Sequence, residues 1–344
     1  MDLFPKVAIA PGNVNLSPAP ILTIAIPTYS RNELLSKNTA LLFAQLRPEV
    51  RILIVDNASP IPVSETLGEL PVGVTLIRNR VNVGGNQNIL RCLEMCETPW
   101  VMVTGDDDAP LPGMVERILE DISANQDATL LHYATANMHH RESTWQTRGR
   151  TEFLSRVDSF DNLLFISSSV FHVGRLQSAF DWAHHHTYSC APHLVLLLKA
   201  MGQDALAIFR PESLVDWKLP DVENRGSKFA MALGLPTILE LPLTGRERAI
   251  LAGHLARFNS AGELMHEALL AVLYGGRSRR EAFDLYIHAL HRLPLRFAIL
   301  RRFWGWYLAP LLLVPRLGYA IVGRFAQAVI GRAMGPENLR SNQL

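Results

Sequence analysis

Trp100-Val101-Met102-Val103-Thr104-Gly105-Asp106-Asp107-Asp108 is an apolar run that ends in three consecutive carboxylates, with Pro110 and Pro112 close behind. Its first residues have the length and β-branched content of a buried strand, and the prolines close it. Three like charges at a strand end repel one another and resist desolvation. They become favourable when a hard cation such as Mg2+ or Mn2+ shares them with phosphate groups. Taken alone, the same residues also describe a solvated acidic turn, so the neighbouring segments have to decide.

Upstream, residues 21–26, 51–55 and 74–77 are continuous apolar runs, separated by stretches of helical period at 31–45 and 86–95. Continuous apolar strands alternating with helices predict an α/β domain with a mainly parallel sheet covered on both faces. Ligands of such sheets bind outside the carboxyl ends of the strands. The polar clusters fall at those ends: Thr28-Tyr29-Ser30-Arg31, Asp56-Asn57-Ala58-Ser59, Arg78-Asn79 and the three aspartates. Four unrelated solvated loops would not place their acids and bases along one edge. Downstream, 114–124 reads as a helix and 128–133 as a strand, while 139–150 is polar and reads as a mobile stretch. Residues 151–217 alternate short elements less regularly, 220–246 is rich in Pro, Gly and charge, and 248–272 and 281–291 look helical.

With 344 residues, 48% of them hydrophobic and 19% charged, the chain is long enough for one large domain and an appendage, and neither disorder nor a fibre is indicated. The net charge of +1 hides an asymmetry. From residue 271 onward 11 arginines face 3 acids, a balance of +8, which leaves −7 for the first 270 residues. A basic end that is also apolar points to an anionic membrane surface rather than to nucleic acid. Three cysteines cannot all pair, and Cys92, Cys96 and Cys190 suit a reduced, cytoplasmic setting. The first 20 residues lack the pattern of a secretory signal and read as a loose arm.

Over residues 20–217 the chain resembles family 2 glycosyltransferases of the GT-A fold, the kind that builds surface polysaccharides such as O-antigen. The resemblance is carried by Ile26-Pro27-Thr28-Tyr29-Ser30-Arg31, Ile54-Val55-Asp56-Asn57-Ala58-Ser59, Arg78-Asn79-Arg80-Val81-Asn82-Val83-Gly84-Gly85-Asn86-Gln87-Asn88, and Gly105-Asp106-Asp107-Asp108 with Pro112-Gly113. It implies sugar transfer from a nucleotide-diphosphate donor, assisted by Mg2+ or Mn2+. It also implies a GT-A catalytic domain at 21–217, divided into a nucleotide half (21–110) and an acceptor half (111–217). A linker or flap at 218–246 and a helical, basic and apolar region at 247–344 would follow.

Specific roles follow from the matched positions. Asp56 is expected on the base or ribose, with Thr28, Tyr29, Asn57 and Asn79 around it. Arg31 caps the first helix, bridges Asp56 or meets the diphosphate, and Gly84 opens a phosphate-facing loop at a helix start, which Asn88 of the donor site holds together with Asn82 and Asn86. The aspartate motif departs from the commoner acid–spacer–acid–acid form, because Gly105 occupies the first acid's place. Asp107 is therefore the expected metal ligand, with Asp108 and Asp106 assisting.

An inverting transferase also needs a base for the acceptor hydroxyl. Relatives carry an acidic pair where this chain has Cys190-Ala191. His193 is the nearest replacement, with Asp108, Asp216 and Asp181 as alternatives, and Trp217 is either an acceptor-stacking ring or core. His184-His185-His186 lacks zinc-ligand spacing.

In the tail, the apolar stretch 303–315, broken by Pro310 and Pro315 and flanked by Arg302 and Arg316, suits a segment lying in the inner leaflet rather than a span. A saccharide or lipid-linked acceptor would be met there, and a homo-oligomer is compatible. Two rivals remain: a degenerate membrane-bound scaffold, motivated by the missing carboxylate, and a sugar nucleotidyltransferase. The latter would want a Gly-rich basic loop after the first strand, which this chain lacks.

Overall fold

The computed structural model describes residues 19–217, 228–258, 260–273, 276–292, 309–318 and 321. The chain runs β1 (Leu22–Thr28), α1 (Asn32–Phe43), β2 (Val50–Asp56), α2 (Ser64–Leu67), β3 (Val74–Arg78), α3 (Gly85–Glu94) and β4 (Trp100–Val103). It continues through β5 (Ala109–Pro110), α4 (Met114–Ala124), β6 (Ala128–Ala134), β7 (Trp145–Arg148), α5 (Gly149–Arg156), α6 (Phe160–Leu164), β8 (Ser169–His172) and α7 (Val173–Leu176). Then come α8 (Phe180–His185), α9 (Pro192–Ala200), β9 (Leu206–Ser213), β10 (Val215–Asp216), α10 (Lys228–Gly234), α11 (Gly245–Phe258), α12 (Ala261–Leu273) and α13 (Arg279–Arg292).

One mixed sheet has the order β3-β2-β1-β4-β8-β6-β9-β7, and β5 pairs with β10 in a small second ribbon. The half β3-β2-β1-β4 is parallel throughout, and β8 then runs antiparallel to β4 and β6. Side chains alternate across the pleat, so these strands feed two cores. Leu22, Ile24, Ile26, Ile52, Ile54 and Met102 share one with Leu35 and Leu42 of α1 and Ile118 and Ile122 of α4. Ala25, Leu53, Val55, Val101 and Val103 share the other with Leu90 and Leu93 of α3 and Leu194 and Leu197 of α9. Burial on both faces is why the strands read as unbroken apolar runs.

Two sequence expectations are corrected. The stretch 139–150 is ordered: it contains β7, which pairs antiparallel with β9, and Trp145 stacks on Phe209 with ring centroids 3.8 Å apart. Its buried Arg141 donates to the His132 carbonyl (3.2 Å) and to both oxygens of Asp158 (2.8 and 3.1 Å). Polarity here is an internal ion pair rather than a solvated loop. Of the expected linker, 218–227 lies outside the described residues. Beyond it, α10 and a 3-10 turn (Leu235–Glu240) bury Leu235, Ile238 and Leu241 against the sheet's helices.

The predicted helix at 248–272 is two helices. Thr244 with Glu247, Ser260 with Glu263 and Ser278 with Glu281 each form a reciprocal capping box that starts α11, α12 and α13. Glu247 also accepts from Arg150 and Thr151 at 3.0 Å each, tying α11 to α5. Burial opposes its charge, but those bonds outweigh it and hold the carboxyl down to about 2. Farther on, α10, α12 and α13 share a separate core around Tyr286, Met265 and Leu269. No helix among the described residues is long and apolar enough to cross a membrane.

Candidate active site

The parallel register aligns the strand ends. Thr28 lies opposite Asp56, Asp56 opposite Arg78, and Ala25 opposite Val103, so Asp106 emerges level with Thr28. Hydrogen bonds close this rim: the Thr28 hydroxyl donates to Asp106 Oδ2 (2.7 Å), and the Thr28 carbonyl accepts from Asn57 N (2.9 Å). The loops after β1 and β2 are held against each other by Ser30 N donating to Ser59 Oγ (3.0 Å). In these loops Ser30 and Ala58 adopt left-handed backbone, φ 56° and 60°. Non-glycine residues keep such angles only where the surroundings impose them, a recurrent property of functional loops.

Asp56 is buried, accepting from Ser59 N (2.9 Å) and from Arg78 Nη1, while Arg78 Nη2 reaches the Ser59 carbonyl (2.8 Å). Burial alone would raise its pKa, but the Ser59 and Arg78 hydrogen bonds win and keep it below the usual range. Its internal bonds leave Arg78, 41% exposed, as the group that this pair presents outward. The expected bridge from Arg31 to Asp56 is not formed. Arg31 Nη1 instead donates to Asp106 Oδ1 (3.0 Å) and Asp107 Oδ2 (2.7 Å). Tyr29 sits exposed on the same rim.

The three aspartates differ in environment. Asp106 and Asp108 are buried, whereas Asp107 is 41% exposed. Burial pushes Asp108 up to about 6 against the pull of its hydrogen bond from Ser167, and it raises Asp106 against Thr28 and Arg31. Gly105 explains the departure from the commoner motif. A Cβ there would lie 2.6 Å from Asp108 Oδ2 and 2.8 Å from Asp107 Oδ1. Both oxygens close on the space a side chain would fill, leaving none for a carboxylate at 105.

The carboxylates of Asp107 and Asp108 are hard oxygen donors of the kind that Mg2+ or Mn2+ takes. Among the described residues no three His, Cys, Asp or Glu side chains converge on one point. A cation held here would meet one or two carboxylates of the protein and would need its other oxygen ligands from elsewhere, as is usual for Mg2+.

The loop after β3 is fastened by asparagines. Asn79 Nδ2 donates to Asn57 Oδ1 (2.9 Å) and Asn88 Oδ1 (2.8 Å), Asn57 Nδ2 to Asn82 Oδ1 (2.8 Å), and Asn88 Nδ2 to the Val55 carbonyl (2.9 Å). Asn57, Asn79 and Asn88 are buried with their amides engaged on one another, which makes them supports of the loop rather than groups facing a ligand. Gly84 precedes α3 with φ 88° and nothing within 4 Å of a hypothetical Cβ, so the angle and not space requires glycine.

Asp216 pairs across the small ribbon with Ala109, next in sequence to Asp108, and Trp217 meets Phe165 edge-on with centroids 6.4 Å apart. That pairing sets Asp216 beside the acidic loop. His193 does not reach it as an accessible group. It is buried at the start of α9, its ring set against the Leu163 backbone. Burial holds the imidazole down to about 4.

His193→Leu should therefore leave nucleotide binding and transfer intact and stabilise the fold. The folded state refuses a proton that the unfolded chain accepts below its ordinary pKa of 6.5. The variant's advantage should thus grow as pH falls, by about 2 kcal/mol between pH 7.5 and 5. Urea midpoints at the two pH values measure this, and equal gaps would contradict it.

Sequence reasoning missed Ser59, Arg78 and Ser167 as site residues. Arg78 was readable as the basic residue at a strand end beside an acid. Ser167 was not, because it lies far from the aspartates in sequence.

Residues 23–192 match the family model described as glycosyl transferase family 2. Uncharacterized protein MT1568 of Mycobacterium tuberculosis (strain CDC 1551 / Oshkosh) is 27% identical over 142 residues, 39% of this chain. The chain spans only 42% of that relative's length. Among solved structures, Staphylococcus aureus TarS 1–349 in complex with UDP-GlcNAc superposes with TM-score 0.56 at 12% identity, over 92% of this chain and 93% of that one. Mannosyltransferase PcManGT from Pyrobaculum calidifontis, in complex with GDP-Man and Mn2+, gives 0.50 at 14% identity, over 88% and 87%. The likenesses to solved structures show the GT-A fold, and the family match, over just under half of the chain, supports a glycosyltransferase.

Proposed function

We propose that the protein is an inverting glycosyltransferase that moves a sugar from a nucleoside-diphosphate donor to a hydroxyl of a saccharide or lipid-linked acceptor in surface polysaccharide synthesis. The observation that carries this is the Thr28 hydrogen bond to Asp106, which joins the nucleotide-side loops and the acidic loop into one rim. Arg31 and Arg78 supply positive charge toward the diphosphate. Asp107, with Asp108, would hold Mg2+ or Mn2+, which when bound supplies Lewis-acid stabilisation of the departing diphosphate. With His193 buried and neutral, the base is a carboxylate. Asp108 or Asp216 takes the acceptor proton as its oxygen attacks the anomeric carbon and the bond to the diphosphate breaks. A buried carboxyl pushed up toward 6 is closer to that task than an ordinary one.

UDP and GDP, each titrated with and without Mn2+, test the reading: one of them should raise the melting temperature more with the metal, and Asp107→Ala should erase that increment. No metal-dependent nucleotide binding by the unaltered protein would defeat the proposal.

Peripheral attachment at the inner face of the cytoplasmic membrane is part of the same proposal. It is supported by the +8 balance beyond residue 270 and by exposed Leu313, Val314, Leu317 and Ile321 around Arg316. Of the expected anchor, 303–308 lies outside the described residues. The full chain should float with anionic vesicles and not with neutral ones, and indifference to lipid charge would contradict attachment.

A further inference from the structure

The antiparallel pairing of β8 with β4 sets Val170 opposite Met102, Phe171 opposite Val101 and His172 opposite Trp100. Continuing that register past both strand ends brings Ser167 opposite Gly105. There Ser167 is wholly buried, its Oγ accepting from Gly105 N (2.9 Å) and donating to Asp108 Oδ2 (2.6 Å). A hydroxyl donating to a carboxylate at that distance is a strong, charge-assisted bond. The two serines that follow are used elsewhere. Ser168 Oγ donates to the Phe165 (2.7 Å) and Asn162 (3.0 Å) carbonyls, and Ser169 Oγ meets His132 Nδ1 at 3.1 Å. Of the three hydroxyls, only that of Ser167 is given to the acidic loop.

We infer that Ser167 is a positioning residue of the transferase, a serine that fixes the Gly105 backbone and the Asp108 carboxylate in one orientation. The inference rests on the proposed transfer reaction. Its chemistry is simple. One Asp108 oxygen is saturated by the Ser167 proton, so the carboxylate cannot rotate freely and its other oxygen keeps one direction. The Gly105 amide, bound to the same Oγ, prevents the acidic loop from sliding along the strand end. Without the hydroxyl, a buried carboxylate loses a donor and turns to find another.

The test uses the full chain and four variants: Ser167→Ala, Ser167→Cys, Ser167→Thr and, as a control outside the site, Ser168→Ala. Ala and Cys should lower kcat about 10- to 100-fold, as losses of orienting partners do around metal ligands, with donor KM within about threefold. They should also weaken Mn2+ binding in the presence of the nucleoside diphosphate. Thr, which keeps the hydroxyl, should recover most of both, and Ser168→Ala should change melting temperature but neither kinetic constant. In a double-mutant cycle, Ser167→Ala added to Asp108→Asn should cost little more than Asp108→Asn alone. Cys packs like Ser and keeps the question open to refutation if Ala fails to fold. An active parent whose Cys and Ala variants keep kcat and Mn2+ affinity overturns the inference while leaving the reaction standing. An inactive parent with no metal-dependent nucleotide binding overturns both.

Discussion

Gly105→Asp, which puts a carboxylate where the resemblance leads one to expect the motif's first acid, should lower transfer by about two to three orders of magnitude while leaving the fold intact. The expectation comes from what surrounds Gly105. The nearest atoms to an added Cβ are Asp108 Oδ2 at 2.6 Å and Asp107 Oδ1 at 2.8 Å, both side-chain ends rather than backbone. Side-chain ends can move aside, so the sheet and its two cores need not. Yet for Asp108 moving aside means leaving Ser167, and for Asp107 it means leaving the oxygen pair that a cation would use. Displacing catalytic groups by about 1 Å costs on the order of 100-fold, and a fourth carboxylate adds like-charge repulsion in a partly buried site. Gly105→Ala should show most of the loss, because the collision begins at Cβ. Melting curves and kcat with saturating Mn2+ separate the two effects. A Gly105→Asp protein that binds Mn2+ more tightly and keeps its rate would mean that the aspartates are not arranged as read.

The part of the candidate site on β1 to β4 was legible in the sequence because its physics is local. β1, β2 and β4 are buried on both faces, so each is a nearly continuous apolar run, β3 is a half-buried edge strand, and a parallel sheet delivers every carboxyl end to one edge. Asp56, Asp106 and Asp108 were legible on that ground, and the glycine at 105 was legible as an anomaly. The other half of the sheet was not legible, for an equally physical reason. There β8 and β7 run antiparallel to their neighbours and are short, and polarity is consumed internally, as by Arg141 with Asp158 and by His132 with Ser169 and Asn162. Ser167 is bound to a residue 59 positions away, a separation that local pattern cannot register. Residues 235–241 are different: Leu235, Ile238 and Leu241 recur every three residues, a helical signal masked by the surrounding Pro, Gly and charge. The capping boxes at Thr244, Ser260 and Ser278 were also readable and would have divided the helix predicted at 248–272.

Arg31→Ala should move two measurements in opposite directions, raising Mn2+ affinity in the absence of nucleotide and lowering transfer by about 100-fold. Arg31 Nη1 lies 2.7 Å from Asp107 Oδ2 and 3.0 Å from Asp106 Oδ1, so a guanidinium already neutralises the carboxylates that a cation would need. Burial lowers its own pKa, but Asp106 and Asp107 raise it by more, so it stays charged at any working pH. A divalent ion approaching the empty-handed enzyme must compete with that charge. Both partners are more than one-third exposed at Asp107, with side chains 39% and 41% accessible. Solvent screening then keeps the contact near 1 kcal/mol, so removing it should tighten nucleotide-free Mn2+ binding by roughly threefold to tenfold. A donor reverses the balance, since its diphosphate gives the guanidinium a second anion and the cation further oxygens. Losing one such positive group from a developing diphosphate is worth on the order of 100-fold in rate. Arg31→Lys, which keeps charge but not the geometry that spans two carboxylates, should fall between the two. Mn2+ titration followed by electron paramagnetic resonance, beside kcat, reads both effects. If metal affinity and rate fall together in Arg31→Ala, the arginine builds the cation site rather than guarding it.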